Sequence, residues 1–307
     1  MKVYNNISAQ QVSWIKSNKM KLEKESCIHN LYYPESMDEF KDLLKKLIAD
    51  KKKIEIIGYS SNTLFLPSYH VEDLICTKSL NKWYETDNEI ICECGVNVSV
   101  LSKKMVEKGY IGFEGLTDLP GTIGAAVYGN CGCRGCSVNE LVKSFCMLTP
   151  DGKITYHTIE DLKLSYRSTV LKRGELKGVI LEVILKKIPG DKQSLKEIAE
   201  FNHRYRKMTQ PSAVNNLGTT FISCRNATLK GKLYRVFIKI ASPFIKDGVK
   251  SYSMFLKIIG KKQFVPYTYR LKRYMFLDEK SHVLFPQYVN FVKSLFIDAE
   301  LEIEIRK

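Results

Sequence analysis

Long apolar runs are absent from this chain of 307 residues: none approaches the roughly 20 residues that cross a bilayer. The opening Met1-Lys-Val-Tyr-Asn-Asn6 also lacks the apolar core of a secretory signal. The expected setting is therefore the cytoplasm, and no integral membrane protein is expected. Histidine is scarce, and His29, His70, His157, His203 and His282 fall singly, which excludes metal or triad spacings among them. Neither a Walker loop nor G-x-G-x-x-G occurs, so two common nucleotide-binding turns are excluded. No internal repeat or low-complexity tract is present.

Acidic residues are in short supply, 33 against 48 Lys and Arg, for a net charge of +15. Such a charge speaks to partners rather than fold. No nucleic-acid motif accompanies it, so nucleic acid is not an expected partner. A nucleotide sugar, a dinucleotide or an anionic membrane face would each be drawn to it. Nine cysteines without a secretory signal are expected as thiols. Cys131-x-Cys133-x-x-Cys136 has no fourth ligand at a usual local spacing, so no metal is expected. With 44% hydrophobic residues the chain can bury a core, divided into two or three domains.

Along the chain, a helix is expected over Ser8–Met20. Ser36-Met-Asp-Glu39 reads as a capping box, and Phe40, Leu43, Leu44, Leu47 and Ile48 predict a helix to about Ala49. Lys53–Ile57, Val71–Thr77 and Glu89–Cys94 read as strands, with Ile90, Cys92 and Cys94 on one face. A helix over Val98–Lys108 is capped at Asn97 or Ser99 and stopped by Gly109. Pro150-Asp151-Gly152 predicts a turn between strands Phe145–Thr149 and Lys153–Thr158. Gly178–Lys187 is a further strand, and a boundary is expected at Pro189-Gly190-Asp191. Ser194–Met208 reads as a helix with Leu195, Ile198 and Ala199 on one side. Tyr234–Ile240 reads as a strand, Tyr252–Ile259 as a helix, and 261–284 as unassigned. A last helix follows Pro286. In the closing strand Leu301, Ile303 and Ile305 alternate with Glu300, Glu302 and Glu304, setting the carboxylates on the opposite face.

The most unusual stretch runs from Gly115 to Gly135, with six glycines in 21 residues. Glycine adds no Cβ and tolerates positive φ, so successive N–H groups can face one concavity and receive a diphosphate. A tight set of buried turns without a ligand has the same composition.

Leu119-Pro-Gly-Thr-Ile-Gly-Ala-Ala-Val, followed by Asn130-Cys-Gly132 and Gly135, resembles the flavin loop of the UDP-N-acetylenolpyruvoylglucosamine reductase (MurB) family, I-P-G-T-V-G-G-A then N-A-G-A-Y-G. Gly58-Tyr-Ser-Ser-Asn62 resembles the family's first flavin loop, G-x-G-S-N. Ser165-Tyr-Arg-Ser168 resembles Y-R-x-S, Gln210-Pro211 with Gly218-Thr-Thr-Phe221 resembles Q-P…G-S-x-F, and Leu301-Glu-Ile-Glu-Ile-Arg306 resembles L-x-x-E-V-R. The five pieces fall in the family's order.

The resemblance implies an α+β protein: a two-part FAD-binding domain of PCMH/MurB type, 1–75 and 76–190, and a smaller α+β substrate domain, 191–307. It implies FAD held by Gly58, Tyr59, Ser60, Ser61, Asn62, Pro120, Gly121, Thr122, Gly124, Ala125, Asn130 and Gly132. NADPH would be the reductant and an enolpyruvyl UDP-sugar the substrate, for cell-wall peptidoglycan synthesis. Arg167 would face the substrate carboxylate, Glu304 would orient or polarise the same centre, and Thr219 would stand where the family has a proton-donating serine. Tyr166 and Lys207 would contact substrate. Gly218-Thr-Thr-Phe-Ile222-Ser223-Cys224 departs from G-S-x-F-K-N-P, and no family motif is found between Leu229 and His282. A diverged homologue acting on another nucleotide sugar, or a non-catalytic binding protein, is the second reading.

Overall fold

A computed structural model describes residues 1–15, 27–211, 215–245 and 247–307. By contacts the chain divides into two units. The first holds Met1–Ser8, Cys27–Ser60 and His70–Thr209; the second holds Ala9–Ser26, Ser61–Tyr69 and Gln210–Lys307. The break therefore falls after Thr209 rather than at Pro189-Gly190-Asp191. The helix Lys192–Thr209 belongs to the first unit because it packs on the helix Val98–Lys108.

Two sheets organise the first unit. One runs Lys2–Ser8, Cys27–Tyr33, His70–Cys76, Glu55–Ile57, parallel except for its antiparallel first strand. The other is antiparallel, in the order Ile154–Thr158, Val142–Leu148, Val179–Lys186, Glu89–Glu93, Trp83–Glu85. The helix Met37–Ala49 starts where Ser36 Oγ accepts the Glu39 N–H at 3.2 Å. It buries Phe40, Leu43, Leu44 and Leu47 at the expected spacing. Val98–Lys108 begins at Asn97 and ends at Gly109 in the left-handed region, φ 90°. Ile90, Cys92 and Cys94 are buried together in the same core.

Several expectations are corrected. Residues 2–8 form a strand and Ala9–Gln11 one 3-10 turn, so no α-helix runs over 8–15; residues 16–20 of the expected helix lie outside the described residues. Ile198 is exposed on its helix while Leu195 and Ala199 are buried. The expected strand Tyr234–Ile240 is part of a helix, Leu229–Ala241. Thr228 caps it, its Oγ1 accepting from Gly231 N at 3.2 Å, and Tyr234 and Phe237 turn toward the core at helical spacing. The last helix starts not after Pro286 but at Glu279, with Pro286 inside it. Asp278 and Ser281 cap each other there, a stronger start signal than the proline.

The second unit packs an aromatic core, including Phe221, Tyr252, Phe264, Tyr274, Phe276 and Tyr288, under the helices Leu229–Ala241, Gly248–Ile258 and Glu279–Leu295. Tyr252 and Tyr288 share a hydroxyl hydrogen bond of 2.9 Å, and Tyr288 donates to Leu271 O at 2.6 Å. The chain's C-terminal segment changes partner within this unit. Ile222 N–H donates to Glu300 O and Glu302 N–H to Thr220 O, an antiparallel pairing. Beyond a bend at Ile303, Glu304–Arg306 pairs in parallel with Thr63–Phe65. The expected single strand is thus two short pairings, and its glutamates do not share one continuous face. Among the described residues, no helix is long and apolar enough to cross a membrane.

Candidate functional site

The glycine-rich segment is built into the first unit by its own backbone. Thr122 forms an antiparallel bridge with Asn97, flanked by Val98 N–H to Gly121 O at 3.1 Å and Ile123 N–H to Val96 O at 2.8 Å. Gly124 N–H donates to Cys94 O at 2.8 Å, and Ala125 N–H to Thr122 Oγ1 at 3.4 Å. The first three donors of the short helix Ile123–Tyr128 are therefore consumed internally. Gly124 serves packing: a Cβ there would stand 2.9 Å from Cys94 Cβ. The donors left for a ligand precede the helix. Thr122 is 1% exposed, yet its own N–H, like that of Gly121, meets no acceptor among the described residues. Buried N–H groups are nearly always paired, so a donor held this way is shaped for a guest. Gly121, at φ 138°, takes the turn before it.

The loop after strand Glu55–Ile57 closes onto this point. A Cβ on Gly58 would lie 2.8 Å from Thr122 Cγ2 and closer still to Oγ1, so only glycine lets the two loops meet. Ser60 is buried in the left-handed region, φ 51°, its hydroxyl donating to Tyr59 O at 2.8 Å. Ser61 and Asn62 fall in the second unit. There Asn62 Nδ2 donates to Glu302 O at 3.0 Å and Asn62 O accepts from Glu304 N at 2.9 Å. Asn62 is thus a strut for the C-terminal segment.

A polar network holds the far end of the segment, joining Asn130 and Arg167, both named from the sequence, to Ser137 and Asn139, which were not. Asn130, at φ 47°, donates through Nδ2 to Ser165 O at 2.7 Å, and its Oδ1 accepts from Ser137 at 3.3 Å and Asn139 at 3.2 Å. Arg167 enters from a tight turn in which Ser165 and Ser168 bond each other's backbone at 3.0 Å. Its Nη2 donates to Gly132 O at 2.8 Å and its Nη1 to Asn130 O at 3.3 Å. Tyr166 lies beside it, exposed, with the guanidinium 5.4 Å from its ring centre. The helix Lys192–Thr209 is stitched along the same segment: His203 Nδ1 meets Asp118 at 2.9 Å, and Arg134 lies over the Tyr205 ring at 4.4 Å. Lys207 is exposed in the last turn of that helix. Pro120, Gly121, Asn130 and Gly132 are half-buried, and Ala125 is exposed.

Cys133 and Cys136 face each other in a two-residue hairpin, and Cys136 is pushed up to about 11 by burial and by Glu114 nearby. Among the described residues no cluster of three or more His, Cys, Asp or Glu is arranged around a common point.

In the second unit, Gly218 takes φ 82°, with Asn216 Oδ1 accepting its N–H at 2.9 Å, and the space beside its α-carbon is open. Thr219, half-buried, follows it; Thr220 is buried and spends its hydroxyl on Tyr274 N–H at 3.0 Å. The register that pairs Thr220 with Glu302 would next pair Gly218 with Glu304. Glu304 turns its N–H to Asn62 instead, leaving Thr219 and Glu304 at the open end of one pairing. Thr219 and Glu304 belong to the second unit, and Arg167 to the first.

Residues 29–156 match the protein family described as FAD binding domain. The chain is 30% identical over 190 residues to a UDP-N-acetylenolpyruvoylglucosamine reductase of Alkaliphilus oremlandii (strain OhILAs), covering 61% of this chain and 62% of that protein. It is 32% identical over 192 residues to the Bacillus subtilis (strain 168) protein of the same name, covering 62% and 63%. It therefore spans less than two thirds of the length of these relatives. A solved structure of UDP-N-acetylenolpyruvylglucosamine reductase (MurB) from Thermus caldophilus covers the whole of both chains with a TM-score of 0.71 at 19% identity. The chain is thus similar in sequence to these reductases over about three fifths of its length, and has the fold of the Thermus protein.

Proposed function

We propose that this protein is an FAD-dependent reductase of an enolpyruvyl UDP-sugar, reduced by NADPH, acting in cytoplasmic synthesis of a peptidoglycan precursor. The observation that carries the reading is the buried Thr122 N–H, which meets no acceptor among the described residues and sits beneath a loop that only Gly58 allows so close. The residues present fit a dinucleotide. Gly121 and Thr122 offer main-chain donors to a diphosphate, Gly58 lets the loop that carries Ser60 approach Thr122, and Asn130 and Arg167 fix the loop that follows. When bound, FAD would supply the hydride chemistry that no side chain can.

The chain's own residues supply charge, position and a proton. Arg167 brings its positive charge to the substrate carboxylate while its fork holds Asn130 O and Gly132 O. Thr219 donates a proton from its hydroxyl, and Glu304 orients or polarises the reacting centre. Tyr166 and Lys207, both exposed, contact the sugar nucleotide. In this reading the first unit serves the cofactor and residues 210–307 of the second serve the substrate.

The test is optical. The purified protein should be yellow, bleach on anaerobic NADPH addition, and regain colour with an enolpyruvyl UDP-sugar. Colourless protein that cannot be reconstituted with FAD would remove the reading. Flavin that never bleaches with either nicotinamide cofactor would remove the reductase.

A further inference from the structure

We infer that the helix Leu229–Ala241 docks on an anionic lipid surface, a role independent of the proposed reaction. Leu229, Leu233, Val236 and Ile240 are 76, 62, 53 and 63% exposed, and Phe244, just past the helix, is 86% exposed. Their spacings of four, three and four residues put the helical members on one stripe. This is not the side that packs the unit's core, because Gly231, Tyr234 and Ala241 face inward there. Scattered exposed aliphatics are ordinary, but an aligned row of them is not.

Charge selects the occupant. Lys230, Lys232 and Lys239 are exposed on the same helix, which contains no acidic residue. From Arg225 to Lys262 the sequence has ten Lys or Arg and one acidic residue, Asp247, so most of the chain's net charge of +15 falls in this stretch. A second copy of the chain would bring like charges together. A nucleic acid would answer the lysines but leave the aliphatic row in water. Anionic lipid answers both: lysines meet headgroups, and the stripe enters the acyl boundary. A helix of 13 residues, about 20 Å long, lies in that boundary rather than crossing it.

The test uses the full chain sedimented with phosphatidylcholine vesicles, with and without phosphatidylglycerol. Binding should be about tenfold or more tighter with phosphatidylglycerol and should weaken with salt. Leu233→Glu combined with Ile240→Glu should abolish it, and Lys232→Glu with Lys239→Glu should reduce it. Phe244→Trp should give a blue-shifted emission on phosphatidylglycerol vesicles, and this readout stands even if the paired variants do not fold. Equal partition to both vesicle types, undiminished binding by the folded stripe variant, or an unshifted tryptophan would each overturn the inference. So would an effect of the stripe variant on self-association or RNA binding alone.

Discussion

The guanidinium of Arg167 grips the carbonyls of Asn130 and Gly132, at 3.3 and 2.8 Å, from a residue held at φ 57°. The side chain assigned to substrate is therefore also a clasp on the second glycine loop. Hydrogen bonds from a charged donor are worth about 1.5–3 kcal/mol. Lysine, a single point charge, cannot reproduce the fork. Arg167→Lys should weaken FAD affinity roughly tenfold or more, measured by flavin fluorescence titration. An unchanged flavin affinity with only a raised KM would confine Arg167 to the substrate.

Gly58 sets the distance between the two loops. Gly58→Ala would force its methyl against the Thr122 side chain and displace the residue whose N–H is proposed to meet the cofactor. Overpacking of this kind costs about 1–3 kcal/mol. The variant should fold with a lowered melting temperature and purify with little or no flavin. A full flavin complement, read from the visible-to-ultraviolet absorbance ratio, would show that the loops tolerate separation.

Thr219 keeps a hydroxyl but adds a methyl that stiffens χ1. Thr219→Ala should leave flavin reduction by NADPH intact and slow reoxidation by substrate about 10²-fold or more. Thr219→Ser should match or exceed the parent. Stopped-flow traces of the two half-reactions separate these outcomes, and equal reoxidation in the alanine variant would show that the proton comes from elsewhere.

How far these features could be read in advance differs between the halves of the chain. Ser36, Asn97, Gly109 and Gly152 announce their elements because capping and positive φ are local demands, and each sits where expected. Tyr234–Ile240 reads as a strand in sequence because the outward positions of the helix Leu229–Ala241 are as apolar as its inward ones, which erases the helical period and leaves the β-like run Val236-Phe-Ile238 to decide. The cradle was legible as composition only. That Gly124 packs on Cys94 while the Thr122 N–H meets no acceptor among the described residues depends on the bridge to Asn97, 25 positions away in the chain. Asn62 also donates through Nδ2 to Glu302 O, a pairing between residues 240 apart that no local pattern encodes.

His282 adds a pH dependence to the second unit. Its ring lies 4.9 Å from that of Phe276, neither nitrogen has a hydrogen-bond partner among the described residues, and burial pushes its pKa down from 6.5 to about 4. Asp278 nearby offsets burial only in part. With the folded value depressed, the unfolded chain takes up the proton first. Stability is therefore full above about pH 6.5 and falls as pH drops toward 4, by up to about 1.4 kcal/mol per pH unit. Urea unfolding at about pH 7 and about pH 5 should show that loss, and His282→Phe should remove most of it while preserving the packing against Phe276. An identical pH slope in the variant would assign the loss to other groups.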